Sequence, residues 1–211
     1  MIFKSKGGDA VKKLLITGFE PFGGEKLNPS WEAVRMLPET IGDFALTKLQ
    51  VPVVFGLAGE RVLSAAGTLD PDVILCIGQA GGRGAVTPER IAINCRSASI
   101  PDNAGFMPVE EPVVKGGPDG LFATVPVEAM AAAIRKLGLP AAVSNTAGTY
   151  VCNDLMYTLL HHYRETKTRV GFLHVPYLPE QGKPSMELME IQKALAAAVS
   201  ALAFEFLGNT Y

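Results

Sequence analysis

Cys152 and His174 are the residues whose types and positions suggest chemistry. Cys152 follows the Gly148-Thr149 break and falls in the first turn of a predicted helix, for which Thr149 is a suitable cap. The apolar positions Val151, Leu155, Met156, Leu159, Leu160 and Tyr163 keep helical spacing. Unsatisfied N–H groups and the positive end of the helix dipole therefore lie near the sulfur and favour thiolate. Lowering a thiol from about 8.5 to about 6.5 takes roughly 2.7 kcal/mol, whereas a helix end supplies about 0.3–1 kcal/mol, so a cation must provide most of the shift. His174 is the histidine placed to do this. It ends the apolar run Gly171-Phe172-Leu173-His174-Val175, and C-terminal strand ends are where open α/β sheets assemble their sites. A thiol and an imidazole on one rim make a nucleophile and its base. The same spacing puts Cys152 on a buried face with Leu155, Met156 and Leu159, where a free cysteine is inert core. Spacing alone leaves these two readings level.

A cysteine–histidine pair needs a third group to fix the imidazole tautomer. Glu89, in Thr87-Pro88-Glu89-Arg90, is the best candidate, and an ordinary surface pair with Arg90 is the alternative that spacing slightly favours. Cys76 and Cys95 lie in predicted strands and read as small hydrophobes. His161 and His162 fall in the last turns of the Cys152 helix, as a cap or solvated face.

The elements that must position these residues alternate. Strands are predicted over 12–17, 45–54, 72–77, 90–95, 141–144 (short and buried) and 169–175, and helices from about Asn28-Pro29-Ser30 and over 59–66, 127–137 and 185–207. That alternation implies βαβ units around a largely parallel sheet. The segment 97–120, rich in Pro, Gly, Asp and Asn, is predicted to be a long functional loop. Nothing marks a second domain, and residues 1–11 read as a leader that can be flexible.

Composition excludes several classes. A 48% apolar, 19% charged chain of 211 residues can bury one substantial core. A net charge of -2 and a pI near 5.9 provide no basic stripe for nucleic acid. Neither a signal segment nor a membrane span is expected, since the apolar C-terminal run is well short of the roughly 20 residues a bilayer requires. That run reads as a buried or subunit-facing helix. Three cysteines without paired spacing suit a reducing, cytoplasmic setting. No metal-ligand spacing exists, so neither metal nor cofactor is expected. GQAGGRG lacks the Lys-Ser/Thr of a P-loop and the dinucleotide spacing, leaving a flavodoxin-like anion-binding module as a weak non-catalytic reading.

The stretches TGFEPFGGEKLNPSWEAV, GQAGGRGAVTPERIAIN, IPDNAG, SNTAGTYVCN and GFLHVPYLPEQ occur in order from about Leu14 to Gln181. Together they resemble the pyroglutamyl peptidase I family of cysteine peptidases. The resemblance implies a single-domain three-layer α/β/α sandwich with a mostly parallel open twisted sheet. It implies hydrolysis after an N-terminal pyroglutamyl residue of peptides through a thioester, by a triad of Cys152, His174 and Glu89, and so raises Glu89 above its alternative. By the same carry-over Phe19 and Phe22 wall the lactam pocket, Asn28, Gln79, Ile100, Tyr150 and Val151 complete it, and the protein is a homo-oligomer, a tetramer. Two positions depart from the family pattern. Ser99 stands where an arginine is usual, which lowers turnover unless Arg83 or Arg96 substitutes, and Asp154 stands where histidine is frequent, adding a negative charge that can raise the thiol pKa. A related thiol amidase acting on another small cyclic or acylated amine is the second enzymatic reading.

Overall fold

The computed structural model describes residues 11–206; the leader expected over 1–11 lies, apart from Val11, outside the described residues. In chain order the elements are β1 (Lys12–Phe19), α1 (Pro29–Arg35), β2 (Thr40–Ile41), β3 (Phe44–Val51), α2 (Leu57–Leu69), β4 (Val73–Gln79), β5 (Thr87–Pro88), β6 (Ile91–Ile93), β7 (Gly120–Phe122), α3 (Val127–Arg135), α4 (Val151–Tyr163), β8 (Arg169–Val175) and α5 (Leu188–Phe206). The main sheet has the order β2-β3-β1-β4-β8-β5. Its four central strands are parallel, and the two-residue strands β2 and β5 close the edges antiparallel.

The central strands are continuous apolar runs because both faces are covered. Along β4, Val73, Leu75 and Ile77 join one cluster with residues of α1, α3 and α5, while Ile74 and Cys76 join the opposite cluster with residues of α2 and α4. The two-residue period of a strand thus assigns alternate side chains to two cores. The result is the expected three-layer sandwich. No helix among the described residues is long and apolar enough to cross a membrane. The apolar face of α5, including Ile191, Leu195, Ala198 and Leu202, is buried within the subunit, which fulfils the first of the two roles read for it.

Several boundaries differ from the sequence reading. Strand β3 stops at Val51 rather than 54, because Pro52 has no N–H for the ladder. Helix α2 begins two residues earlier and ends three later than read, between Gly56 (φ 75) and a left-handed Asp70. Helix α3 ends at Arg135, and α5 starts at Leu188 instead of 185. Segment 141–144 is no buried strand: Ala141 and Ser144 make isolated bridges to Val86 and Glu89, and Ala142 is exposed. The expected strand 90–95 is only β6, paired with β7 in a separate two-stranded sheet, so Cys95 lies outside it and half-buried. The long loop holds no helix or strand between β6 and β7, as expected, apart from a bridge between Arg96 and Glu111.

Strand β1 is flanked by β3 on one side and β4 on the other, so connections diverge between β1 and β4. Such a switch point leaves a crevice at the C-terminal strand ends. Helix α1 reaches it by close approach over Gly18: a Cβ there would stand 2.6 Å from Trp31 Cα and 2.7 Å from Trp31 N. Those are backbone atoms, and they cannot yield without moving the helix. Gly18→Ala is therefore expected to cost about 1–3 kcal/mol or more, measured as a lower urea midpoint at unchanged m-value; an unaltered midpoint would contradict this packing.

Candidate active site

Register brings the candidate groups together. In the parallel pair β4–β8, Gly78 lies opposite His174, so their Cβ directions share one face, the face covered by α4. A Cβ built on Gly78 would lie 2.9 Å from Cys152 Sγ and 2.8 Å from Phe172 Cζ. The sulfur thus occupies the space a side chain at 78 would fill, and the backbone of Gly78 pairs with that of His174 one strand spacing, about 4.8 Å, away. Cys152 lies in the first turn of α4, as read from the sequence, but as its second residue, because the cap is Tyr150 and not Thr149. Thr149 instead donates its hydroxyl to Ser97 O at 2.7 Å, tying the start of the long loop to the helix entry. Buried Asn153 adds a second clamp, accepting from Ile93 N–H at 2.9 Å and donating to the carbonyls of Ile93 and Cys95.

Glu89 stands behind the imidazole. Its Oε1 is 2.7 Å from His174 Nδ1 and accepts from Arg83 Nη1 at 2.5 Å, and the carboxylate has 0% exposure. The surface pair with Arg90 does not form, because Arg90 goes to Glu128 and Asn145. Arg83 also donates to Thr87 Oγ1, Ser144 Oγ and Thr146 O. Burial pushes the Glu89 carboxyl up, but the hydrogen bond and charge of His174, with Ser144 and Arg83, outweigh it and hold the group below its ordinary value. Burial pushes His174 down, opposed by Glu89 and assisted by the Arg83 charge, and the net direction is down. Of this coupled pair, Glu89 is therefore the anion and His174 the neutral partner.

The thiol departs from expectation. Cys152 is half-buried and lines a cavity, and burial among its neighbours pushes its pKa up to about 12. The charge of Glu89 adds to that rise, while Arg83 and the residue's own N–H oppose it. An ionised sulfur beside an imidazolium is thus not the resting state of the empty site. Asp154 plays no part in this: it is buried, paired with Arg96 Nε and accepting from Gly56 N–H at 2.8 Å. The same pair commits Arg96, leaving Arg83 as the cation that acts on the sulfur. Cys76, pushed up to about 12 by burial, is core. His161 stacks on Tyr157 and lies 2.8 Å from Arg164, a helix-end role.

Beside Cys152 a small cavity of about 30 Å³ opens at the switch point, lined by Phe19, Phe22, Asn28, Val53, Gln79, Tyr150, Val151 and Cys152. Six of the expected pocket residues line it. Ile100 does not; it is 46% exposed, on the loop whose Pro101 carbonyl accepts from the Tyr150 hydroxyl. Val53 takes a wall position that the sequence reading missed, although its place just beyond a parallel strand signals it. Asn28 is spent structurally, since its amide caps α1 at Ser30 and donates to Glu20 O. The glycine-rich turn after β4 leads into β5 and not into a helix, which removes the helix end an anion cradle uses. Gly81 is needed for packing, because a Cβ there would be 2.1 Å from the Tyr177 ring. Among the described residues no group of three or more His, Cys, Asp or Glu side chains could hold a metal ion.

A cysteine at a helix start and a histidine–carboxylate pair on the rim of an α/β sheet are groups of the kind a cysteine-type hydrolase uses. The chain matches the family model described as pyroglutamyl peptidase over residues 12–205, and it belongs to that family. It is 52% identical over 198 residues to the pyrrolidone-carboxylate peptidase of Levilactobacillus brevis, covering 90% of this chain and 97% of the relative. With that of Erwinia tasmaniensis it shares 50% over 196 residues, covering 90% and 92%. The structure of pyroglutamyl peptidase I from Bacillus amyloliquefaciens superposes with a TM-score of 0.88 at 46% identity, covering 92% of this chain and 97% of that one. The pyrrolidone carboxyl peptidase of Thermococcus litoralis gives 0.88 at 34% identity, covering 93% and 95%.

The protonation states carry a pH signature. A histidine whose folded pKa is depressed binds fewer protons than in the unfolded chain, so stability rises with pH through the interval between the two values. Melting temperature is expected to fall as pH drops below the ordinary 6.5 of His174, with a shallower fall in His174→Gln. A melting temperature that rose on acidification through this range would reverse the assignment. Separately, Gly78→Ala is expected to displace the sulfur and reduce hydrolysis at least 100-fold, the scale of a roughly 1 Å misplacement, with the fold retained by circular dichroism.

Proposed function

We propose that the protein hydrolyses the amide bond after an N-terminal pyroglutamyl residue, with Cys152 as nucleophile, His174 as base and acid, and Glu89 as the group that fixes the imidazole. The observation that carries the substrate assignment is the cavity wall: two phenylalanines, a tyrosine, two valines and two amides beside the sulfur, and no acidic side chain. A flat, uncharged lactam suits such a wall. An ordinary N-terminus would bring an ammonium into it without a counter-ion, at a cost of several kcal/mol. The family relationship supports the same substrate class.

Glu89 accepting at Nδ1 leaves Nε2 of His174 with its lone pair, ready to receive a proton. With the thiol protonated at rest, the proton moves from Sγ to Nε2 as the S–C bond forms, in place of attack by a preformed thiolate. The oxyanion is held by N–H groups at the start of α4, where Tyr150 provides no side-chain cap. His174 then gives the proton to the leaving amine as the C–N bond breaks, leaving the thioester. It next takes a proton from water, whose oxygen attacks the thioester carbon, and returns it to the departing sulfur. Arg83 holds Glu89 in line and, by its charge, lowers the thiol pKa.

The same proposal includes a homo-oligomer, with the groove of small residues between α3 and α5 as an available face, and a cytoplasmic setting in keeping with three free cysteines. Light scattering tests the first: a tetramer supports it and a monomer removes it. For the activity, Cys152→Ala is expected to abolish chromophore release from a pyroglutamyl amide while Cys76→Ala and Cys95→Ala retain it. Full activity in Cys152→Ala would end the proposal, and a preference for prolyl or acetyl amides would favour the amidase reading instead.

A further inference from the structure

Gln181 lies outside the cavity lining, yet its side chain determines which end of a lining residue faces the ligand. Its Oε1 accepts from the Leu178 backbone N–H at 3.0 Å, and its Nε2 is 3.4 Å from the Leu27 carbonyl and 3.2 Å from Gln79 Oε1. A backbone N–H can only donate and a backbone carbonyl can only accept. The two backbone groups therefore fix the Gln181 amide in one orientation, without the ambiguity that usually attends amide ends. Its NH2 must face Gln79, so Gln79 must answer with oxygen. The NH2 of Gln79, which has no partner among the described residues, is then the end available to the cavity.

We infer that Gln181 is a positioning residue for substrate recognition: by holding Gln79 oxygen-outward, it aims the Gln79 amide N–H at the ring carbonyl of the bound lactam. This rests on the lactam reading above and deepens it. Gln79 ends β4 next to Gly78 and lines the cavity together with Cys152. Asn28, the other amide in the wall, is buried, with its oxygen taken by the two donors of Ser30 and one of its two amide hydrogens by Glu20 O. Gln79, whose one hydrogen bond among the described residues is through its oxygen, has both amide hydrogens to offer. Orientation matters because a reversed Gln79 would put oxygen against carbonyl oxygen.

Gln181→Glu performs that reversal. The carboxylate still accepts from Leu178 N–H, but it now requires an N–H from Gln79, whose oxygen turns toward the cavity. The expected result is a KM for a pyroglutamyl amide raised about tenfold, the scale of one lost hydrogen bond with its acceptor left unpaired, at a kcat within about threefold of wild type. The inhibition constant of cyclopentanone, a ring whose oxygen can accept but which has no N–H to donate, should rise in parallel. A merely structural role would lower melting temperature or kcat without this split. Gln181→Met, which removes the brace without imposing the reversal, should give a smaller rise, and it serves as the test should the glutamate variant fail to fold. Wild-type KM and inhibition constants in a folded variant would overturn the inference while leaving the lactam reading intact. Wild-type enzyme inert toward the pyroglutamyl amide would instead remove the lactam reading, and this inference with it.

Discussion

A carboxylate shut away from water has to be paired, and the rim of this sheet is organised around that requirement. Glu89 reaches two partners through one oxygen, His174 from β8 and Arg83 from the turn after β4. Leaving either partner out would strand a buried charge, a loss of about 3–5 kcal/mol. The antiparallel edge strand β5 brings Thr87 opposite His174, and the Glu89 N–H donates to Phe172 O at 2.9 Å, so backbone pairing delivers the acid to the imidazole. Arg83 in turn draws on Thr87, Ser144 and Thr146, which stitches segment 141–144 to the same corner.

That corner dictates what the sulfur can be. The negative charge of Glu89 and the packed surroundings both hold the proton on Cys152, and the Arg83 guanidinium and the helix start only partly offset them. An imidazole kept neutral by burial is then a base waiting for a proton. In the proposed mechanism nucleophile and base are both neutral at rest, so the charge separation arises during attack, where the helix N–H groups stabilise it. Gly78 leaves room for Cys152 by having no side chain where the sulfur sits.

Much of the scaffold was legible because its strands are doubly buried: the run from Val73 to Ile77 and the run ending at His174 each declare a central parallel strand by unbroken apolarity. Strand β8 was bounded correctly from that signal alone. The short edges were not, because β2, β5 and β7 have two or three residues and take their form from neighbours and not from a pattern of their own. Cys152 and His174 were visible as residue types at element ends. The role of Glu89 was not separable by spacing from a pair with Arg90, since direction along a two-residue strand decides it. Arg83, Gln181 and the state of the thiol depend on packing across the fold: the sequence reading asked a cation to supply most of a downward shift, whereas burial raises the thiol by more than Arg83 lowers it. Asp154 misled for a related reason: it is two positions from the cysteine, but it is neutralised by Arg96 and aimed at Gly56.

The ionisation of the Cys152 sulfur in the free enzyme tests this account most directly. Thiolate absorbance in the ultraviolet, followed against pH as the difference between wild type and Cys152→Ser, should stay flat through neutrality and rise only in strongly alkaline solution, toward the value of about 12 set by burial. A thiolate signal already present at neutral pH and abolished by His174→Ala would show a preformed ion pair, and would contradict the neutral couple on which the mechanism rests.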